Sequence, residues 1–384
     1  MNAVLNSGRR GNMSGEPKLI RGWATAEGTG RFAARFAGSL PGHFAETHGL
    51  RLSSIGLGTY LGDPTAECDA LYTEAIERAV ELGVNVVDSA VNYRHQRSER
   101  SVGRSLARLI AEGKARRDEI LLATKGGFLT FDGEEPADPG AYFEETLVKT
   151  GLVRPEEVVA GCHVMSPRYL ENQIEASRSN LGVETIDLYY LHNPETQLAE
   201  VTRQEFFRRL KAAFEALEKA VATERIRAYG TATWNAYRAG LEARDAVSLA
   251  DVLRAAEEVA GKSHHFRAVQ LPFNLAMPEA LAAKTQRLGP ECMPFLHAAR
   301  AQGLMVFSSA SLLQGRLAAD LPDGIREKLR GLATDAQRSI QFVRSTPGIT
   351  TALVGMSRRE LVEENLATAR VPRLTQEEYR GIFS

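Results

Sequence analysis

The sequence has little cysteine, no excess of either charge and no long apolar segment. Its three cysteines, Cys68, Cys162 and Cys292, are widely spaced and form no Cys-x-x-Cys pair. They therefore supply neither a disulfide framework nor a thiolate metal site, which is typical of a reducing compartment. Lysine and arginine number 47 against 48 aspartates and glutamates, a net charge of −1. This balance argues against a nucleic-acid or acidic-membrane partner, since either would require a basic patch.

No apolar run approaches the roughly 18 residues of a membrane span. The Arg9-Arg10 pair lacks the apolar segment that must follow in a twin-arginine signal. We therefore predict a cytoplasmic protein. Hydrophobic residues make up 43% of the chain and charged residues 25%, proportions that exclude global disorder and allow a large core.

Residues 1–48 are rich in small residues and arginine and show no sustained period. They are predicted to form an N-terminal extension whose first dozen residues are disordered. Residues 31–36 carry Phe32 and Phe36 and are interpreted as a single helical turn that packs on the main domain.

Beyond residue 48, short apolar runs alternate with longer segments of helical period. The runs cover residues 54–58, 84–88, 120–125, 186–192, 226–230, 268–271, 304–308 and 350–355. Helices are predicted at residues 70–82, 98–110, 170–181, 206–221, 249–259, 293–302, 325–343 and 359–367, with Ser98-Glu99 as a start signal and Gly182 as a stop signal. Near-continuous apolar strands are typical of a parallel sheet covered on both faces.

Eight such βα units predict an α/β fold, a (β/α)8 TIM barrel over residues 49–384. An open sheet is the alternative, but no Gly-x-Gly-x-x-Gly motif follows an early strand. The connection after the third strand is too long for a simple turn. A loop of this length at the carboxyl end of a strand favours a lid over the active face, and we assign that role to residues 126–162.

Four polar residues lie at or just after strand ends, where a barrel places its catalytic groups. They are Asp88, Tyr93, Lys125 and His192. Taken singly, each has an ordinary explanation. Asp88 could cap the next element and Tyr93 could be a packing residue. Lys125 could be a solvated charge and His192 a buried imidazole. Together they form an acid–base set, because a nearby ammonium lowers the phenol pKa from about 10 and a carboxylate holds the ammonium. Histidine adds a donor to a carbonyl oxygen.

Over residues 50–366 the chain resembles the aldo-keto reductase superfamily. The resemblance is carried by Ile55-Gly56-Leu57-Gly58-Thr59, Val87-Asp88-Ser89-Ala90 with Tyr93 and Ser98-Glu99, Thr124-Lys125, Ile186-Asp187-Leu188-Tyr189-Tyr190-Leu191-His192, Val269-Gln270, Val354-Gly355 and Glu363-Glu364-Asn365-Leu366. It implies a barrel that binds NADPH or NADH and reduces an aldehyde or ketone to an alcohol. By position, Tyr93 would be the general acid, Lys125 and Asp88 would tune it, and His192 would orient the carbonyl.

The resemblance also implies cofactor and substrate positions. Gln270 matches a carboxamide partner, and Phe307 matches an aromatic ring that stacks on nicotinamide, with a core aromatic as the alternative. The positions expected along the pyrophosphate and adenosine are Ser308, Ala310, Gln314, Gly315, Ser357, Arg358, Glu364 and Asn365. From their strand-end positions, the expected substrate walls are Tyr60, Phe128, Asn193 and Trp234, with rim packing as the alternative.

Two departures from the family pattern affect the cofactor. Ala232-Thr233 stands where the family usually has Ser-Asn, which weakens two carboxamide contacts. Ser357 stands where a basic or amide residue is common, and Leu361 where some members have arginine. NADPH is nevertheless expected, because Arg358 and Arg359 stand at the start of the last barrel helix, where they can bind a phosphate group. NADH is the alternative.

Two other functions stay open. One is a cofactor-binding regulatory barrel, and the other is an epimerase or dehydratase that retains its cofactor. The intact acid–base set favours turnover of a small carbonyl substrate. No metal site is predicted, and the sequence indicates neither the substrate, the direction of reaction nor the oligomeric state.

Overall fold

A computed structural model describes residues 19–383 of the protein. Its strands are β1 (Phe44–Thr47), β2 (Leu50–Ser53), β3 (Ile55–Gly58), β4 (Val86–Asp88), β5 (Leu121–Gly126), β6 (Ile186–His192), β7 (Ile226–Ala232), β8 (Phe266–Pro272), β9 (Gln286–Leu288), β10 (Glu291–Met293), β11 (Met305–Ser309) and β12 (Thr351–Gly355). Eight of them close into a parallel barrel in the order β11-β12-β3-β4-β5-β6-β7-β8. The predicted (β/α)8 barrel is confirmed, with each of its strands at a predicted apolar run.

At least one helix follows each barrel strand, as expected, and the first helix precedes the barrel. The helices are α1 (Ala26–Ala34), α2 (Ala66–Glu81), α3 (Arg97–Ala111), α4 (Pro139–Phe143), α5 (Pro167–Leu181), α6 (Arg203–Ala222), α7 (Leu249–Ala260), α8 (Glu279–Ala282), α9 (Phe295–Ala301), α10 (Asp323–Lys328), α11 (Asp335–Ser345), α12 (Arg359–Leu366) and α13 (Gln376–Gly381). None of the helices in residues 19–383 is long and apolar enough to cross a bilayer.

The barrel strands are buried on both faces because side chains alternate between the lumen and the helices. The lumen holds a compact apolar cluster that includes Val86, Leu188, Tyr190 and Phe307. A larger cluster fills the space between the strands and the surrounding helices. With its interior filled by side chains, the barrel can offer a site only at its ends.

The N-terminal segment is more structured than a single turn. Helix α1 buries Phe32 against Phe36 and Phe44, and β1 pairs with β2 in an antiparallel hairpin before the first barrel strand. The predicted disorder of the first dozen residues and the Arg9-Arg10 pair lie outside the described residues.

Two helix predictions were wrong. Residues 325–343 form two helices rather than one: the chain breaks near Gly331, whose φ is 78°, and restarts where the Thr334 side chain accepts from the Gln337 N–H. Ser98-Glu99 does not cap α3. The Ser98 hydroxyl donates to the Thr59 carbonyl oxygen at 2.8 Å, and the Glu99 side chain is buried.

The connection from β5 to α5 is long, as predicted, but it is not an open loop. It contains α4, a π-helical turn (Glu144–Val148) and a 3-10 turn (Pro155–Glu157). Val153, Val164 and Tyr169 form a small core of their own beneath it. Isolated bridges pair His163 with both Phe128 and Val159, so the two ends of the segment are joined at its base.

Candidate active site

Two adjacent barrel strands, β4 and β5, bring a buried ion pair to the carboxyl end of the barrel. The Lys125 ammonium on β5 donates to Asp88 Oδ1 at 2.5 Å, to the Ser89 carbonyl oxygen at 2.8 Å and to the Tyr93 hydroxyl at 3.1 Å. Lys125 is fully buried and Asp88 is nearly so. Asp88, Tyr93 and Lys125 are therefore directly connected, as the sequence predicts.

Burial and charge act in opposite directions in this group. Burial raises the pKa of Tyr93, while the Lys125 ammonium opposes that shift without reversing it. Burial alone would lower the pKa of Lys125, but the Asp88 carboxylate and Tyr93 raise it. Tyr93 therefore keeps its proton at neutral pH beside a lysine that stays charged. The predicted lowering by the Lys125 ammonium is present, but the net shift is upward, because the cost of burying a phenolate exceeds the attraction of the ammonium.

An unusual backbone holds Tyr93 in place. The three residues after it, Arg94, His95 and Gln96, have φ values of 47°, 54° and 70°, left-handed conformations that cost of order 1–3 kcal/mol each. The buried Arg94 guanidinium compensates by donating to Asp69 Oδ1 at 2.8 Å and to the Ser98 hydroxyl at 3.0 Å. Sequence reasoning missed the ion pair of Asp69 and Arg94, because its partners come from a helix and a distant turn.

His192 completes the set at the end of β6. Its ring packs edge-on against Tyr93, with centroids 5.7 Å apart, and against Phe128, at 4.9 Å. Burial, followed by repulsion from Lys125 and the His163 ring, lowers the pKa of His192 well below its usual value. The imidazole is therefore neutral at physiological pH and carries one N–H.

A second layer behind His192 was not predicted. His163 Nε2 lies 2.8 Å from the His192 backbone oxygen, and Gln197 Nε2 lies 2.9 Å from His163 Nδ1. Arg209 donates to Gln197 Oε1 at 2.7 Å. Burial lowers the pKa of His163 to about 4. A lone histidine at the end of a long connection offered no signal from which this chain of hydrogen bonds could be inferred.

Gln270 lies across the lumen from the ion pair. Strands β4 and β8 are opposite each other in the barrel, and the Gln270 amide donates to Asp88 Oδ2 at 2.7 Å. This leaves the Gln270 carbonyl oxygen as the side-chain group able to meet a ligand. Thr233 contacts the same residue, donating its hydroxyl to the Gln270 backbone oxygen at 3.4 Å.

The expected nicotinamide and pyrophosphate positions follow β11. Phe307 is 1% exposed and meets Tyr190 edge-on, with centroids 6.4 Å apart. The Ser308 hydroxyl donates to the Phe273 carbonyl oxygen at 2.9 Å, so it faces inward. Ala310 and Gln314 have φ values of 52° and 54°, which gives the following turn a left-handed backbone.

The expected adenosine positions lie around the start of α12. Arg358 is exposed, whereas the Arg359 guanidinium donates to Glu363 Oε1 at 3.2 Å. Ser357 is half-buried beside Arg358. The remaining residues expected here are Glu364, whose backbone oxygen accepts from Gln337, and Asn365, which is buried. Gly315, with φ of 88°, belongs to the turn after β11, where the pyrophosphate is expected.

The expected substrate walls surround the rim. Tyr60 is 56% exposed and packs edge-on against Tyr93 at 5.0 Å, and Trp234 is 45% exposed. Asn193 has a left-handed φ of 46° and donates its backbone N–H to the Ala232 oxygen at 2.6 Å. The structure therefore brings Tyr60, together with Phe128, next to the acid–base set, while Trp234 and Asn193 lie at the neighbouring strand ends.

A buried carboxyl supports the Trp234 turn. Glu195 Oε1 accepts the backbone N–H groups of Trp234 at 2.6 Å and Asn235 at 3.2 Å. Its Oε2 is buried without a partner among the described residues. Burial raises the pKa of Glu195 to about 7, so this carboxyl changes charge near neutral pH.

Comparison with known proteins identifies the family. The model of the Aldo/keto reductase family matches residues 54–252, just over half of the 384-residue chain. That segment contains Asp88, Tyr93, Lys125 and His192. The chain belongs to the aldo/keto reductase family.

Relatives match nearly the whole chain at low identity. An uncharacterized oxidoreductase, YqkF, of Bacillus subtilis is 24% identical, covering 88% of this chain and 94% of that protein. An aldo/keto reductase from Klebsiella pneumoniae, crystallised with NADP and acetate, is 21% identical with a TM-score of 0.58, covering 89% of this chain and 94% of that chain. A glycerol dehydrogenase from Gluconobacter oxydans is 19% identical with a TM-score of 0.62, at the same coverages. At this identity the solved structures support the shared barrel fold.

Proposed function

We propose that this aldo/keto reductase family protein reduces an aldehyde or ketone to an alcohol with NADPH. The observation that carries the proposal is the hydroxyl of Tyr93, held 3.1 Å from the ammonium of Lys125. The hydroxyl lies at the carboxyl end of the barrel, where catalytic groups of this fold collect. The predicted cytoplasmic location is part of the same proposal and rests on the cysteine usage.

The residues present are compatible with a dinucleotide. Phe307 supplies an aromatic ring at the end of β11, and the Gln270 carbonyl oxygen can accept from an amide. In the turn after β11, neither Leu312 nor Gln314 donates its backbone N–H within the described part of the chain. Free N–H groups in a left-handed turn form an anion site suited to a pyrophosphate. When bound, NADPH would supply hydride to the carbonyl carbon.

The side chains would donate the proton and stabilise the charges that form during the reaction. Tyr93 holds its proton until negative charge develops on the carbonyl oxygen, then donates it. Lys125 stabilises the phenolate that this donation leaves, and Asp88 keeps Lys125 charged. The neutral His192 offers one N–H to the same carbonyl oxygen, which orients it and stabilises the developing charge.

The choice of NADPH over NADH rests on two supports. The Klebsiella relative was crystallised with NADP, and Arg358 stands exposed at the N-terminus of α12. A guanidinium at a helix N-terminus is suited to a phosphate group, because the free backbone N–H groups add to its charge.

The first experiment follows NADPH consumption by the purified protein against a panel of aldehydes and ketones. Tyr93→Phe should lower kcat by about 10²–10⁴-fold, the usual contribution of general acid catalysis. Its dissociation constant for NADPH should stay unchanged. Tyr379→Phe, on α13 beyond the last barrel strand, is the matched control and should keep the wild-type kcat and NADPH affinity.

Two results would contradict the proposal. A loss below tenfold in Tyr93→Phe would remove this tyrosine from the role of acid. Tight NADPH binding without consumption on any carbonyl would favour the regulatory barrel or the cofactor-retaining epimerase or dehydratase. The replacement of Ser-Asn by Ala232-Thr233 leaves room for the second of these alternatives, the epimerase or dehydratase.

A further inference from the structure

A cluster of unpaired polar atoms lies at the opposite end of the barrel from the catalytic residues. Helix α11 ends at Ser345 and leads into the N-terminal end of β12, so Arg344 lies near the closed base of the barrel. Arg344 is 1% exposed. Its Nη1 donates to the Thr368 oxygen at 3.1 Å and its Nη2 to the Val371 oxygen at 2.8 Å. The segment after α12 therefore runs along α11 and is held to it by this arginine.

Several atoms here are inaccessible to solvent and lack a hydrogen-bond partner. Among the described residues, those that line this contact between α11 and the C-terminal segment are Arg344 Nε, Arg373 Nε, Arg373 Nη2, Thr368 Oγ1 and Gln341 Oε1. Gln341 is tied to the same segment, since its amide donates to the Pro372 oxygen at 2.7 Å. Three nitrogen atoms of the two guanidinium groups are thus left without an acceptor.

Neither Arg344 nor Arg373 forms an ion pair with any carboxylate of residues 19–383. Arg344 Nη2 donates to the Val371 oxygen, two residues before Arg373. Burial, reinforced by Arg373, lowers the pKa of Arg344 to about 9. Burial, together with Arg344 and Arg373, also lowers the pKa of His43 to about 3, so His43 stays neutral.

Another buried arginine in this protein does have a carboxylate partner. Arg117, 5% exposed, donates to Asp187 Oδ2 at 2.7 Å. Paired charges of this kind are the rule for buried ions, because an isolated charge is too costly to remove from water. Arg344 and Arg373 lack such a carboxylate.

We propose that Arg344 and Arg373 hold a small inorganic anion of the chloride class at the base of the barrel, where it stabilises the fold. The anion would accept from the unpaired guanidinium N–H groups and neutralise part of their charge. A water molecule beside it would donate to Gln341 Oε1, an acceptor that the anion itself cannot serve. Because the surrounding atoms are enclosed, the site suits a small ion rather than an organic ligand.

Bromide is the probe, since it replaces chloride and scatters anomalously. The full-length protein is crystallised with sodium bromide, and anomalous density is sought between the two guanidinium groups. In solution, Tm is measured as sodium chloride or bromide replaces sodium gluconate at constant ionic strength. A ligand that binds only the folded state raises Tm saturably, and we expect a rise of about 3 °C.

Variants connect the salt effect to the site. Arg373→Gln, at the half-buried side of the cluster, should fold and lose the chloride-specific rise in Tm. Arg300→Gln, which changes an exposed arginine on α9, is the matched control and should keep it. An anomalous peak with a rise that Arg373→Gln removes supports the proposal. No peak between the guanidinium groups, or a Tm equal in chloride and gluconate, overturns it.

Discussion

His163 Nε2 donates to the backbone oxygen of His192 across 2.8 Å. The direction of this bond is fixed because a carbonyl oxygen can only accept. Burial lowers the pKa of His163 to about 4, so the ring is neutral and its other nitrogen accepts from Gln197. His163 also closes the base of the long connection through its bridge to Phe128. The long connection and His192 are therefore joined through one buried ring.

We predict that His163→Phe lowers kcat about tenfold with a smaller change in KM. The substitution keeps a flat ring but removes the donor to the His192 oxygen, at a cost of about 1–3 kcal/mol. The Gln197 amide keeps only its bond to the backbone oxygen of residue 163, at 3.2 Å. His163→Asn should recover part of kcat, since an amide can still donate. His297→Phe, on the exposed side of α9, is the control. A lower Tm with unchanged kcat would assign His163 a structural role only.

Cofactor preference should depend on one of the two arginines at α12. Arg358 is exposed, while Arg359 is already paired with Glu363. Arg358→Ala should therefore reduce the preference for NADPH over NADH by roughly 10- to 150-fold, the worth of about 1.5–3 kcal/mol for hydrogen bonds to a charged group. Arg359→Ala should have the smaller effect. Dissociation constants for both cofactors decide this, and equal affinities in the wild type would refute it.

Glu195 should make stability depend on pH near neutrality. The native protein holds this proton up to about pH 7, whereas the unfolded chain releases it near its ordinary value of about 4.3. In between, the unfolded state binds fewer protons, so the free energy of unfolding falls as pH rises and levels off above about 7, by up to about 3 kcal/mol.

Glu195→Gln should remove this slope, because the amide oxygen still accepts from the Trp234 and Asn235 N–H groups and cannot ionise. Urea unfolding of wild type and variant between about pH 5 and about pH 8 measures the difference. Glu74→Gln, at an exposed position of α2, should leave the wild-type slope intact. Parallel curves for wild type and Glu195→Gln would contradict the prediction.

The long connection should control substrate choice more than stability. Replacing residues 130–157 with a short Gly-Ser turn keeps Phe128 and His163, which join its ends. Loop closure changes by only roughly 0.6 kcal/mol per doubling of length, although the small core with Val153 is lost. We expect changed KM values across the carbonyl panel and a modest fall in Tm. A large fall in Tm with unchanged kinetics would show that the segment is mainly structural.

The barrel and its acid–base set could be predicted because both depend on local pattern. Each strand is buried on both faces and therefore leaves a continuous apolar run, and Asp88, Lys125 and His192 stand where such runs end. The ion pair of Arg94 with Asp69 and the bond from His163 to His192 left no such trace. Their partners meet only after the fold has formed, and neither has a characteristic spacing in the chain.

The helix caps show that a local sequence signal can also be overridden by tertiary contacts. Ser98-Glu99 has the composition of a helix start, but the fold uses both side chains for buried contacts with Thr59 and Thr124. Thr334 caps α11, although the sequence predicts it to lie inside a single helix over residues 325–343. Short-range signals are reliable only where tertiary contacts do not claim the same side chains.

The bond between Gln270 and Asp88 has a consequence for how the protein is made. Asp88, Tyr93, Lys125 and His192 all lie in the first half of the chain, yet Asp88 Oδ2 gains its partner from a strand synthesised much later. A chain still emerging from the ribosome, or one truncated before β8, has every acid–base residue but no opposite wall to hold the carboxylate. We therefore expect the acid–base set to become functional only when the barrel closes, so that incomplete chains catalyse no reaction.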